Sequence, residues 1–175
     1  MMRHLTLADY TRQPWKNGLG TTTELWRLER EGQLLVRLSR ASVVEDGPFS
    51  LFPGIARNLT VLSGPGFRLT GAGLNLRCDP LVPVAFPGDV AVIASETGGR
   101  QSDDFNVMTA SHLPKPEVSV TRNADLPSKG TLALYALGPV RVNGRDVAQD
   151  DLLLTDGTAT VSGDWPVIAV RLFWL

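Results

Sequence analysis

Cysteine is nearly missing from this chain: Cys78 is the only one in 175 residues. One thiol excludes an internal disulfide and any multi-cysteine zinc site. It leaves a reducing, cytoplasmic setting as the expectation. Histidine is almost as scarce, with only His4 and His112, far apart in sequence, so no imidazole cluster is available to hold a first-row metal. Lysine occurs at Lys16, Lys115 and Lys129 only, against fourteen arginines. Arginine's planar fork suits bidentate recognition of carboxylates, although a GC-rich genome yields the same bias. Excess charge is also lacking: 17 basic and 18 acidic residues leave a net −1. That near-balance speaks against a sequence-independent nucleic-acid binder and against attraction to an anionic membrane. No apolar run approaches membrane-spanning length, and Met1–Tyr10 lacks the apolar stretch of a signal peptide. Neither nucleic acid nor membrane is therefore an expected partner. The nucleophile elbow, the phosphate-binding loop and the dinucleotide fingerprint are absent too, and Gly18-x-Gly20 is too short to stand for either glycine motif.

Turn formers, by contrast, are plentiful. With 17 Gly and 12 Pro, breakers recur every few residues and leave little room for long helices. Between them lie short apolar runs: 34–38, 59–62, 90–94, 118–121, 132–137, 140–142, 152–155 and 167–174. Short strands at this spacing predict an all-β sandwich or barrel, with a short turn at Leu7-Ala8-Asp9-Tyr10 as the one helical candidate. The pattern also echoes itself. The strand, Gly-Pro turn and strand of 59–69 return in 132–142, down to a following Arg. Each copy then leads to an acidic turn feeding an apolar strand, at Pro87-Gly88-Asp89 and at Gln149-Asp150-Asp151. A repeated supersecondary unit predicts two related β-barrel halves, 1–112 and 113–175, with the seam near Pro114 and Pro116.

One stretch fits no such period. Pro14-Trp15-Lys16-Asn17-Gly18-Leu19-Gly20-Thr21 packs an aromatic, a charge, an amide, two glycines and a hydroxyl into eight positions. It reads either as a surface turn entering a strand or as a ligand-contacting loop. Three further motifs follow it in order: Arg37-Leu38-Ser39-x-Ala41, then Gly47-Pro48-Phe49-Ser50-x-Phe52-Pro53-Gly54-x-x-Arg57, then Asp104-Phe105-Asn106-Val107-Met108. Together the four resemble the HutD/Ves family, small bicupins associated with bacterial histidine utilisation, across nearly the whole chain. Leu19 departs from the family pattern, which has another Gly there.

The resemblance implies an all-β bicupin of two cupin-like jelly-roll halves, with the pocket in the first. Aligned on the Gly64 turn, Arg57 falls where a metal-binding cupin carries its Glu, and Ser50 and Phe52 fall where it carries two His. An arginine there repels a divalent cation and attracts an anion, so neither metal nor other cofactor is expected. Arg57 becomes the anion clamp and Lys16 a second charge. Asn17, Thr21 and Ser50 orient polar groups, Gly20 lets the ligand approach closely, Trp15, Phe52 and Met108 form wall, and Asp104 and Asn106, two apart on one strand face, accept hydrogen bonds. Duller roles stand beside these. Arg57 and Asp104 pairing structurally, Trp15 stapling the N-terminal arm, and Asn106 and Thr21 satisfying strand ends are each compatible with the sequence. Arg37 and Ser39 share a face whose direction parity leaves open. The expected partner is a small anionic metabolite such as formiminoglutamate, formylglutamate or urocanate, in a regulatory role. The alternatives are a metal-independent isomerase or hydrolase using Lys16 or Asp104 as base, and a metal cupin with oxygen ligands. Cupins pair through strand edges or barrel faces, which makes a homodimer an expectation as well.

Overall fold

The computed structural model describes residues 1–15, 18 and 20–174. Among them, strands dominate. In chain order they are β1 (Met2–Leu5), β2 (Thr11–Pro14), β3 (Thr21–Arg30), β4 (Gln33–Val43), β5 (Gly47–Pro48), β6 (Ile55–Ser63) and β7 (Phe67–Gly71). Next come β8 (Leu74–Cys78), β9 (Val84–Pro87), β10 (Ile93–Ser95), β11 (Ser102–Ala110), β12 (Glu117–Thr121) and β13 (Ala124–Leu126). The last are β14 (Thr131–Ala136), β15 (Val140–Val142), β16 (Arg145–Val147), β17 (Leu152–Thr155), β18 (Ala159–Ser162) and β19 (Val167–Leu172). The helical candidate is a single 3-10 turn, Leu7–Asp9. Three hairpins turn on two residues with positive φ, at Glu31-Gly32, Ala72-Gly73 and Asn143-Gly144. This backbone twist matches that of the flanking strands.

Two compact units result: Met1–Tyr10 with Leu113–Leu175, and Thr11–His112. The sequence reading had grouped residues 1–10 with the first half. In the structure β1 pairs with β17, Met2 to Thr155 through Leu5 to Leu152. His4 Nε2 lies 2.7 Å from Asp151 Oδ2, so this histidine serves as a tie between strands. The strand expected over 90–94 begins only at Ile93.

The unit Thr11–His112 has a six-stranded sheet, β2-β3-β4-β11-β6-β9, and a four-stranded one, β5-β10-β7-β8. The other unit has a five-stranded sheet, β1-β17-β14-β19-β12, and a four-stranded one, β13-β18-β15-β16. The orders correspond: β4-β11-β6-β9 matches β12-β19-β14-β17, and β5-β10-β7-β8 matches β13-β18-β15-β16. Among the described residues no strand of one sheet pairs with a strand of the other, and an isolated bridge from Val61 to Pro80 joins β6 to the segment after β8. Each unit is thus a pair of sheets, where closed barrels were expected.

The two interiors differ in chemistry. Leu132, Leu134, Ala136, Val167 and Ala169 join Val140, Val142 and Val161 in an aliphatic core. In the unit Thr11–His112, Leu59, Val61, Phe67, Leu69, Phe86 and buried Cys78 form a comparable cluster. Beside it on the same strands lie buried Arg57, Asp104 and Asn106.

Candidate functional site

Strand alternation explains how these polar groups come together. On β11 the pleat puts Asp104, Asn106 and Met108 on one face. Their register partners are Ala41, Ser39 and Arg37 on β4, and Val61, Leu59 and Arg57 on β6. Leu59 and Val61 are fully buried core residues, so this whole row faces inward. Its members other than Leu59 and Val61 form the floor of a cavity of about 990 Å³, walled by Trp15 and Thr22 on one side and by 43–50 and Phe52 on another.

Arg57 is 8% exposed, Asn106 4% and Asp104 1%. Arg57 Nη2 donates to Asn106 Oδ1 at 3.1 Å, and Asn106 Nδ2 donates in turn to Asp104 Oδ1. Asn106 thus stands between the two charges, which the sequence had left as candidates for a direct pair. Among the described residues, Arg57 Nε and Asp104 Oδ2 are buried with no hydrogen-bond partner. Unmet buried groups of this kind are uncommon and costly. Three rings surround the guanidinium: its Cζ lies 5.4 Å from the Phe49 centroid, 5.1 Å from Phe52 and 5.0 Å from Phe86. Ring faces attract a cation without using its N–H donors. Burial lowers the Arg57 pKa to about 10, opposed by the nearby Asp104 carboxylate and helped by Arg37. Burial raises the Asp104 carboxyl to about 7, opposed by Arg57 and by the Asn106 hydrogen bond. Desolvation outweighs mutual attraction for both groups.

Phe52 reaches Arg57 because its loop is pinned to the end of β9. Gly88 N donates to Ile55 O at 2.7 Å, and Phe52 N donates to Gly88 O at 2.8 Å. A Cβ on Gly88 would sit 2.6 Å from both the Phe52 and Ile55 carbonyl oxygens. Only glycine fits this approach.

Seven of the sequence-derived site residues line the cavity: Trp15, Ser50, Phe52, Arg57, Asp104, Asn106 and Met108. Trp15 also plays the stapling role, its Nε1 donating to Thr22 Oγ1 at 2.8 Å. Lys16 and Asn17, together with Leu19, lie outside the described residues. Gly20 and Thr21 do not line the cavity. Gly20 packs under the Trp15 ring, where a Cβ would come within 2.9 Å. Thr21 pairs with Pro14, and the pleat turns the hydroxyl of Thr22 inward in its place. Arg37 and Ser39, whose direction parity left open, point into the cavity. Arg37 is already engaged: its Nε donates to Glu24 Oε2 at 2.7 Å. Glu24 went unnoticed because nothing in its local sequence marks it, although Glu24, Ser39 and Asn106 follow one another across the sheet.

Among the described residues no group of three or more His, Cys, Asp or Glu side chains could hold a metal ion. Asp104 is bound to Asn106 beside Arg57 and Glu24 is taken up by Arg37, so the face does not offer converging free carboxylates, a donor set that does not fit a divalent cation. Among the described residues, no helix is long and apolar enough to cross a membrane.

A family model described as HutD matches residues 7–167. Among solved structures, a conserved protein of unknown function from Pseudomonas aeruginosa PAO1, PA5104, superposes with a TM-score of 0.85 at 30% identity, covering 99% of this chain and 100% of its own. HutD from Pseudomonas fluorescens SBW25, determined in a formate condition, gives 0.86 at 29% identity with the same coverage. A cupin 2 conserved barrel domain protein from Leptotrichia buccalis matches at a TM-score of 0.55 and 8% identity, over 87% of this chain and 88% of that one. That last likeness concerns the fold alone, which is cupin-like.

Proposed function

From the premise that this chain belongs to the HutD family, we propose that it is a bicupin whose Thr11–His112 unit binds a small carboxylic acid, in a regulatory role within histidine utilisation in the cytoplasm. The matched strand orders of the two units support the duplication.

The observation that carries the binding reading is Arg57: a buried guanidinium with an unused donor, at the wall of a large cavity. Burying a charge costs several kcal/mol, and this fold does not need one there. The other unit, with the same strand order, fills its inner face with Leu132, Leu134, Ala136, Val167 and Ala169, and the arginine it buries beside Leu132, Arg171, is satisfied by the Pro127 and Lys129 carbonyl oxygens. A buried polar cluster that keeps unpartnered atoms on Arg57 and Asp104, where the other unit's buried arginine is fully engaged, is best understood as a binding site. The guanidinium offers a carboxylate charge-assisted N–H donors, Asp104 Oδ2 offers a second, unengaged polar contact, and Phe49, Phe52 and Met108 offer apolar wall. Formiminoglutamate, formylglutamate and urocanate combine these features. The test is calorimetry against each acid, where saturable binding to the wild-type protein and its loss in Arg57→Met are expected. No binding of any of them at millimolar concentration would sink the reading.

A second reading has its own observation. A carboxyl held at about 7 in a cavity is poised for general acid or base work. An isomerase or hydrolase acting on the same acids would lose turnover in Asp104→Asn while still binding substrate. Absence of turnover in the wild-type protein removes this alternative.

A further inference from the structure

We propose that Asp104 enters the ligand-bound state as the neutral acid, its Oδ2–H donating a hydrogen bond to the carboxylate or carbonyl of the ligand, so that binding takes up one proton from solvent. The inference rests on the reading that an acid occupies the cavity, and gives Asp104 a specificity-determining role within it.

The geometry sets up a conflict that a proton resolves. Among the described residues, Asp104 and Arg57 are linked by hydrogen bonds only through Asn106, which accepts from the guanidinium and donates to Asp104 Oδ1. Other charged and titratable groups near Asp104 offer its carboxylate little. On β4, Arg37 is held by Glu24 and Arg40 lies toward Asp103. On its own strand, Asp103 faces the other way and accepts from Ser42 and Gln101. On β8, Cys78 is a buried thiol whose pKa is pushed up to about 12 by burial, with Asp104 adding to the rise. The remaining cavity wall brings Glu45 and Asp46, both acidic.

An anion docking on Arg57 therefore leaves two carboxylates around one buried cation. Like charges in such a site do not both stay ionised; one takes a proton. The ligand's carboxylate sits against the guanidinium and keeps its charge. Asp104 is the group already displaced toward its acid form by burial, and it has an atom ready for the proton. Oδ1 is engaged by Asn106, whereas Oδ2 is buried with no partner among the described residues. A protonated Oδ2 becomes an O–H donor, which turns a repulsive neighbour into a contact. The balance is simple: one proton leaves the buffer and bonds to Oδ2, and no other bond changes.

Titration calorimetry of formylglutamate tests this, because that ligand has no group titrating between pH 7 and 8.5. Measurements in pairs of buffers with different ionisation enthalpies count the protons. The expected result is uptake approaching one proton per ligand at pH 8.5, with affinity falling by up to about tenfold per pH unit. Asp104→Asn carries a permanent N–H donor at the same place. Its affinity is expected to be independent of pH over this range. Binding to the wild-type protein with no proton uptake overturns the inference and leaves the carboxylate site standing. A pH slope kept in Asp104→Asn assigns the proton elsewhere and also overturns it. Should Asp104→Asn fail to fold, the wild-type proton count decides alone. No binding of formylglutamate, formiminoglutamate or urocanate at any pH removes both this inference and the reading beneath it.

Discussion

Burial moves the Asp104 carboxyl from the ordinary carboxylate range up to about 7, and linkage fixes the sign of the consequence. The folded state then holds this proton more tightly than the unfolded chain between pH 4 and 7. Stability falls as pH rises through that window and levels off above it. Replacing the carboxyl by a neutral amide removes the penalty. Asp104→Asn is expected to be more stable than wild type at pH 8, by roughly 2 kcal/mol or more, and to lose that advantage near pH 4. Urea unfolding at the two pH values checks it; equal stability at both would contradict the assigned burial. Arg57→Met withdraws the main attraction on the same group, so the Asp104 carboxyl should titrate above 7 in that variant, as followed by carboxyl-carbon NMR. At this scale the sequence was informative where chemistry was rare. A lone arginine in the place of a cupin ligand, and an Asp-x-Asn alternation, pointed to the floor of the cavity. It was uninformative where parity alone decided: Thr21 and Thr22 are the same residue type, and only the strand's entry angle turns Thr22 inward.

Elements position the site through close backbone contacts that the sequence shows only as punctuation. Gly88 stood out as part of a Gly-Asp turn before a strand. Its structural task is to let the end of β9 pass within hydrogen-bonding distance of Phe52 and Ile55. Gly88→Ala forces a methyl against two carbonyl oxygens and is expected to destabilise by about 1–3 kcal/mol. Because the strain falls on the Phe52 loop, ligand affinity should drop with it. Thermal unfolding and calorimetry of this variant measure the two effects; unchanged affinity would separate the loop from the site. Strands with strong apolar character, such as β15 and β17, were legible to the residue. Strands whose pairing depends on distant partners were not. β1 is the clearest case: Met2–Leu5 has no pattern of its own and is a strand because β17 offers it an edge. That same pairing places the first ten residues with the C-terminal part of the chain.

For the whole molecule, the repeat seen as Gly-Pro turns between apolar strands corresponds to two units with matching strand orders. The sequence pattern could not show that the sheets stay separate, because hydrogen bonding between distant strand edges leaves no local signature. The comparison of the two units supplies the strongest test of what the polar residues are for. If Arg57, Asn106 and Asp104 served the fold, replacing all three with apolar residues would unfold it. If they serve binding, Arg57→Met with Asn106→Leu and Asp104→Leu should be at least as stable as wild type, since well-packed apolar replacements of buried charged networks are often neutral or stabilising by about 1–4 kcal/mol. Denaturant midpoints and m-values give the answer, and that variant should bind none of the acids.

The most direct measurement is a thermal-shift series at pH 7 with formiminoglutamate, formylglutamate and urocanate on the wild-type protein and on Arg57→Met. A ligand at about 100 times its dissociation constant stabilises by roughly 2.7 kcal/mol, which for a chain of this size raises the midpoint by about 5–10 °C. The account predicts such a rise with at least one of these acids in the wild-type protein and none in Arg57→Met. No shift with any acid, or the same shift in both proteins, would contradict it.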